Sequence, residues 1–289
     1  MLKTRPWAPY AYVAPAALLI GFIFAYPIAR VIDFSMRLIR GNSGPFVGLN
    51  NYRLIFEDPT FVAAAKHSAL LLVAVPVLLA ISVLVSVLLF ERVRGWRIYR
   101  SVLFFPYILA VPIIGIVASY LFTLNGAINA ILRGIGLGGP DWLGNEKLAL
   151  VTLMLVIVWR EVGFGIVLFL ARLLSLPEEQ IEAARIDGAG WWARLRHIIL
   201  PELRGTIEFY CVVAAITMLA WVFGYVYTLT QGGPGNATVV LEFYIYNQGL
   251  RNSLPGMASA VAVLLMGATM VFIAVLFWVR SRAREEELA

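Results

Sequence analysis

The sequence predicts an all-α integral membrane protein with six transmembrane helices and both termini in the cytoplasm. Of its 289 residues, 61% are hydrophobic and 14% are charged, whereas a soluble domain has about 45–50% and about 25%. Six runs are long enough to cross a bilayer, which takes roughly 20 apolar residues. Lys and Arg are also concentrated in alternate connecting segments. Together these observations exclude a large soluble core and predict a single transmembrane domain over residues 1–289.

The first apolar run is the one that needs separate justification, because Lys3 and Arg5 precede it as they would a signal peptide. The run is longer than an ordinary signal-peptide core, and no small-residue cleavage site follows it. We therefore predict that it is retained as span one. The six predicted spans are residues 11–32, 68–90, 101–124, 148–174, 207–229 and 256–279.

The orientation of the spans follows from their basic flanks. With cytoplasmic termini, the outer loops are longer in total yet hold fewer basic residues, so the positive-inside rule favours this orientation. The net charge of +6 is then a topology signal, and we expect membrane lipid but no nucleic acid as a partner. The predicted inner residues are Lys3, Arg5, Arg92, Arg94, Arg97, Arg100, Arg185, Arg194, Arg196, Arg204, Arg280, Arg282 and Arg284, and the outer ones are Arg37, Arg40, Arg53, Lys66, Arg133, Lys147 and Arg251.

The predicted cytoplasmic loop between spans four and five, residues 175–205, has the pattern of a helix–turn–helix. Ser175 and Glu178 have the spacing of a capping box, with Pro177 in the first turn. The stretch 187–190 contains two glycines, which favour a helix end because glycine adopts left-handed backbone at little cost. Pro201 is expected to end the second helix before span five.

The second helix of this loop carries one apolar stripe, formed by Trp191, Leu195, Ile198 and Ile199. Outside the bilayer such a stripe has to be covered. It either folds onto the membrane or the protein's own spans, or it inserts into a groove on a soluble partner. The pattern by itself leaves both possibilities open.

The spacing within the loop is more specific. It resembles the "EAA" coupling loop of bacterial ABC-importer permeases, in which Glu-Ala-Ala, three residues, Gly and nine residues precede Ile-x-Leu-Pro. The resemblance implies a helix–turn–helix that sits in a cleft of a cytoplasmic ATPase and transmits its motion to the membrane helices. The matching ATPase-coupling residues are Glu182, Ala183, Ala184, Gly188, Ile198, Leu200 and Pro201.

Further stretches resemble the carbohydrate branch of that family, which includes permeases for maltose and glycerol 3-phosphate. They are "FVGLNNYRLIFEDPTF" (46–61), "FFPYILAVPIIGIV" (104–117), "LTQGGPGNAT" (229–238) and "YIY" (244–246). The resemblance implies a sugar or glycerophosphate-type solute, a second homologous permease, two copies of a cytoplasmic ATPase and an external solute-binding protein. ATP and Mg²⁺ would bind the ATPase, and this chain would hold no cofactor.

The sequence gives no indication of an enzyme. It lacks a G-x-x-x-x-G-K-[ST] phosphate loop, so we expect no ATP hydrolysis by this chain. It shows no nucleophile elbow and no metal triad. The only cysteine, Cys211, lies in an apolar run, and we expect no metal site.

Candidates for a transport path come from polar and aromatic residues inside the spans. Arg160 and Glu161, beside Trp159, lie near the middle of span four, where an arginine costs on the order of 3 kcal/mol. Adjacent helix residues point about 100° apart, so the two side chains are not expected to pair face to face. They either line the path or form a buried polar bond between helices, or the arginine reaches an interface.

Span five adds Trp221 and Tyr225, whose rings suit stacking on sugars but also suit anchoring at a membrane interface. Two other classes of protein remain as alternatives. A secondary transporter or channel would more often show internal repeats and several intramembrane acids, whereas only Glu161 stands clearly in mid-span. A membrane scaffold would explain a docking helix but not a charge in mid-span.

Overall fold

A computed structural model describes residues 8–39, 43–91 and 95–288 of the chain. The regular secondary structure in these ranges is helical, and an isolated bridge between Arg37 and Phe46 is the β-type pairing found there. Five described helices are long and apolar enough to cross a membrane, or six if a bent pair is counted as one span. The all-helical membrane prediction is thereby confirmed. Lys3, Arg5, Arg40, Arg92 and Arg94 lie outside the described residues.

The helical segments follow the predicted order, with extra short helices between the spans. In chain order they are Ala8–Ile20, Gly21–Ala25 (π), Tyr26–Ser35, Asn50–Glu57, Pro59–Leu71, Ala74–Phe90, Trp96–Ile108, Val111–Leu121, Ala127–Gly134, Glu146–Leu173, Glu178–Ile186, Trp191–Arg194, Leu195–Ile199 (π), Leu200–Ala220, Phe223–Tyr225, Val226–Thr230 (π), Leu241–Tyr246, Asn247–Arg251 (π) and Pro255–Leu288.

Span three is broken rather than continuous. The helices Trp96–Ile108 and Val111–Leu121 meet at 103° across Leu109 and Ala110. Pro112 explains the break, because it has no N–H to donate to the carbonyl four residues earlier and its ring would clash with that carbonyl. Span five is also divided, since the Leu200–Ala220 helix ends before Trp221 and helical structure resumes at Phe223.

Two local predictions for the loop between spans four and five were wrong. Ser175 is not the N-cap, since its hydroxyl donates to the Arg172 carbonyl at 2.7 Å and Pro177 occupies the cap position. Pro201 does not end the second helix, because the chain is helical without interruption from Trp191 to Ala220. A π-turn over Leu195–Ile199 comes just before the proline, which sits in the first turn of the next helix, where its missing N–H has less effect.

The described residues belong to two compact units. The first comprises Met1–Phe61 and Tyr244–Ala268, as far as these are described. In it the Asn51 amide donates to the carbonyls of Ser35 and Arg37, at 2.8 and 2.9 Å. The Tyr244 hydroxyl donates to an Asp58 carboxylate oxygen at 2.6 Å.

The second unit, Val62–Phe243 and Thr269–Ala289, holds spans two to five and the loop. Its centre is the packing of Ala74–Phe90 along Glu146–Leu173. The buried Ser86 hydroxyl donates across this contact to the Ile166 carbonyl at 3.0 Å. A Cβ at Gly165 would stand 2.6 Å from the Tyr210 ring and would also collide with Ser82. Small residues therefore let these helices approach closely, as is common between membrane helices.

Candidate functional site

Arg160 and Glu161 form a buried ion pair in the middle of the Glu146–Leu173 helix. Arg160 Nη1 lies 2.6 Å from Glu161 Oε1, and the two side chains are 14% and 13% exposed. The expectation that these neighbours would not pair was wrong, because the long guanidinium folds back onto the next residue's carboxylate. Tyr225 joins them from span five: its hydroxyl donates to Glu161 Oε1 at 2.6 Å and accepts from Arg160 Nη1 at 3.2 Å.

The Arg160 guanidinium also donates hydrogen bonds to a backbone carbonyl at the break in span three. Arg160 Nε and Nη2 donate to the Leu109 carbonyl at 3.2 and 3.1 Å. This carbonyl follows directly on the C-terminal end of Trp96–Ile108, where helix carbonyls have no intrahelical partner and the helix dipole is negative. The Tyr107 ring lies 5.0 Å from the guanidinium carbon. Arg160 thus links spans three, four and five at one level.

At the break in span five, an acidic residue accepts hydrogen bonds from backbone N–H groups. Glu242, in the short helix Leu241–Tyr246 outside the candidate spans, accepts the backbone N–H groups of Val222 and Phe223, both at 2.7 Å. These donors open the second half of span five, where a negative charge is favourable. Burial raises the pKa of Glu242, and the two N–H bonds offset part of that rise.

Glu242, Tyr107 and Leu109 were missed in the sequence. The signal for Glu242 was a lone acid in the otherwise apolar and aromatic run "VVLEFYIY". A carbonyl such as that of Leu109 leaves no signal of its own, although Pro112 marks the break that exposes it.

A small cavity of about 40 Å³ lies beside the ion pair. Glu161 faces it, and the rings of Tyr107, Phe164 and Tyr210 form its aromatic walls. The arrangement offers a carboxylate and two phenol groups to a polar guest of small cross-section. The full lining is Leu78, Tyr107, Glu161, Phe164, Tyr210, Val213, Ala214, Thr217 and Met218.

The structure brings together three of the five predicted path residues, namely Arg160, Glu161 and Tyr225. Tyr225 is fully buried, whereas Trp159 and Trp221 are 50% and 71% exposed and lie apart from the cluster's hydrogen bonds. Trp159 borders a separate apolar groove with Phe122 and Leu155. Trp221 stands at the break in span five, with φ of −137°.

Between spans four and five the structure has two helices joined by a turn, and we call residues 178–201 the hairpin. Its first helix is Glu178–Ile186, and Gly188 turns the corner with φ of +78°. Ile181, Leu195 and Ile199 are buried. Glu182, Ala183, Gly188 and Pro201 are exposed, and Ala184, Ile198 and Leu200 are half-buried.

Two exposed apolar residues at the hairpin corner were not singled out in the sequence. Ile186 is 86% exposed and Trp192 is 74% exposed, although both belong to a polar stretch of the sequence. Large apolar side chains in such a position are typical of an interaction surface. Within the described ranges, no group of His, Cys, Asp and Glu is arranged to hold a metal ion.

Comparison with known proteins gives concordant matches along most of the chain. The family described as "Binding-protein-dependent transport system inner membrane component" matches residues 69–285. The diacetylchitobiose uptake system permease protein NgcF of Streptomyces coelicolor is 34% identical over 284 residues, covering 92% of this chain and 79% of its own. The sn-glycerol-3-phosphate transport system permease protein UgpA of Brucella abortus is 30% identical, covering 93% of both chains.

A solved structure has the same fold. It is a chain of the bacterial alginate ABC transporter in complex with an alginate pentasaccharide-bound periplasmic protein, and it aligns with a TM-score of 0.81 over 93% of this chain and 92% of its own. The sequence identity is 22%.

Proposed function

The chain belongs to the family of binding-protein-dependent transport system inner membrane components, and on this premise we propose that it forms one half of the alternating-access path of an ATP-driven importer. A second homologous permease forms the other half. Two cytoplasmic ATPase subunits grip the hairpins of the two permeases, and an external solute-binding protein delivers the solute. The termini and the hairpin lie in the cytoplasm.

The exposed face of the hairpin is the observation that carries this proposal. Glu182, Ala183, Ile186 and Trp192 are exposed on an element whose opposite face is buried. The small Ala183 lets a partner approach closely, and Ile186 and Trp192 supply the apolar anchors that a groove binds. This combination of small, acidic and large apolar side chains fits an ATPase cleft.

The helical connection between the hairpin and span five supports a role for the hairpin in transmitting movement of the ATPase to the membrane helices. Its second helix continues without a break from Trp191 into span five and ends at Ala220. A displacement of the hairpin therefore reaches the level of Trp221 through one continuous helix. The division of span five at that residue provides a joint at which the two halves can change their angle.

For the solute, the site supports a neutral, hydroxyl-rich molecule of the sugar class. Arg160 is directed at protein acceptors: Nε and Nη2 at Leu109, and Nη1 at Glu161 and Tyr225. A guanidinium engaged in this way is poorly placed to bind a phosphate. The Glu161 carboxylate faces the cavity, where it can accept solute hydroxyls and where it repels an anion. The cavity holds only part of a sugar, so the partner permease supplies the remaining contacts.

Uptake by the complete transporter in proteoliposomes tests the proposal. Accumulation of a neutral oligosaccharide should require ATP and the solute-binding protein, whereas uptake without ATP would favour a secondary transporter or channel. In this assay Glu161→Gln should reduce uptake by about tenfold, the effect of losing a charge-assisted hydrogen bond. The matched control is Glu146→Gln, at an exposed position of the same helix. Full uptake by Glu161→Gln, or preferential uptake of glycerol 3-phosphate, would contradict the assigned solute class.

A further inference from the structure

An ion pair connects span two to the hairpin, where it can affect how movement of the hairpin is transmitted to the spans. Arg194 Nη2, in the second hairpin helix, lies 2.9 Å from Glu91 Oε1, at the end of span two. The side chains are 14% and 20% exposed, so the pair is largely shielded from water. The two residues are 103 positions apart in the chain.

Glu91 stands at a position that does not favour an acid. It is the C-terminal cap of the Ala74–Phe90 helix, where the helix dipole is negative and a carboxylate is destabilising. Arg194 supplies the compensating positive charge. The stability of the Ala74–Phe90 helix therefore does not explain the acid at position 91, whereas the ion pair with Arg194 does.

The same guanidinium holds the hairpin corner. Arg194 Nη1 donates to the Ala189 carbonyl at 2.9 Å, next to the left-handed Gly188. One side chain therefore joins the corner, the second hairpin helix and the end of span two. The nearby Arg172–Glu202 pair joins the two bases of the hairpin at 3.0 Å, but its side chains are 41% and 40% exposed, and pairs so exposed contribute little.

Span two in turn packs along span four. Ser86 donates to the Ile166 carbonyl, and Ser82 to the Val162 carbonyl at 3.4 Å. The Glu91–Arg194 contact consequently closes a ring of packed elements: hairpin, span two, span four and back to the hairpin. It thereby joins the hairpin directly to span two, in addition to the two chain connections at spans four and five.

We propose that Arg194 is a positioning residue for transport, which locks the hairpin corner to Glu91 so that span two moves together with spans four and five. The proposal rests on the coupling role of the hairpin proposed above. Arg194 touches neither solute nor nucleotide in this assignment. It acts by connecting the hairpin rigidly to three spans (two, four and five) instead of to spans four and five alone.

Charge reversal in the complete transporter tests the proposal, with the ratio of solute imported to ATP hydrolysed as the readout. Arg194→Glu and Glu91→Arg should each lower this ratio by about tenfold, within the usual range of coupling energies. The double variant Glu91→Arg/Arg194→Glu should recover part of it, because the swap restores the ion pair but not the hydrogen bond to the Ala189 carbonyl. Arg196→Glu, the same change at an exposed position two residues away, should leave the ratio near that of the unmodified transporter.

Co-purification of the ATPase separates the two proposals. If the ATPase does not bind the unmodified chain, the proposed function fails. If it binds every variant, the positioning role of Arg194 is tested on its own: an unchanged ratio in Arg194→Glu, or no recovery in the double variant, would overturn it. Glu91→Gln, which keeps the side-chain shape, should show a smaller fall in the ratio, and an unchanged ratio there would also count against the positioning role of Arg194.

Discussion

Replacing Gly188 by proline is expected to abolish ATP-driven uptake while the protein still reaches the membrane. Gly188 has φ of +78°, and proline fixes φ near −65°, so the corner between the hairpin helices cannot keep its geometry. The substitution also removes the N–H that donates to the Arg185 carbonyl at 3.1 Å. The spans do not depend on this corner. Uptake into proteoliposomes and the amount of protein in the membrane are the two measurements.

The control for this prediction is the same substitution two residues further on. Gly190 has φ of −64°, which proline adopts without strain, and open space surrounds the position of its Cβ. We expect Gly190→Pro to retain most of the uptake. Normal uptake by Gly188→Pro would show that the corner angle is not needed to transmit movement of the ATPase to the membrane helices.

The second large effect is expected from Arg160→Met. This change leaves the buried Glu161 carboxylate without its positive partner and leaves the Leu109 carbonyl without its donor. Breaking a buried pair in this way destabilises proteins by about 3–5 kcal/mol. We expect a loss of that size in the free energy of unfolding, measured by denaturant titration in detergent.

The double variant Arg160→Met/Glu161→Met separates stability from transport. Removing both charges with apolar side chains of similar length is often neutral or stabilising, so the free energy of unfolding should recover. Uptake should remain low, because the cavity has lost its carboxylate. A stable Arg160→Met single variant would show that the pair does not hold spans three, four and five together.

Much of the architecture was predictable because its causes are local in the chain. A run of roughly 20 apolar residues crosses a bilayer whatever surrounds it, and all six predicted spans correspond to helical segments. The hairpin was also predictable, because amphipathic spacing and a glycine corner are local patterns. The ends of its helices were less predictable. The Ser175 hydroxyl donates to the Arg172 carbonyl instead of capping the first helix, and the second helix continues past Pro201 after a π-turn.

The candidate site was only partly predictable. The unusual position of Arg160 and Glu161 in an apolar run was visible in the sequence, but their partners were not. Tyr225 lies 64 positions from Glu161, and Leu109 lies 51 positions from Arg160. Which side chains meet depends on how the helices pack, and one helix turn of displacement would bring different residues together.

By itself, then, the sequence determined a six-span helical membrane protein with an interrupted, polar hairpin, because hydrophobicity and helix periodicity act over short stretches of chain. Only the tertiary structure decided where spans three and five divide and how the divisions are stabilised. At Trp221 no proline marks the break, and Glu242 takes the freed N–H groups from a separate segment. Buried polar groups must find partners wherever the fold brings them, and those partners are distant in sequence.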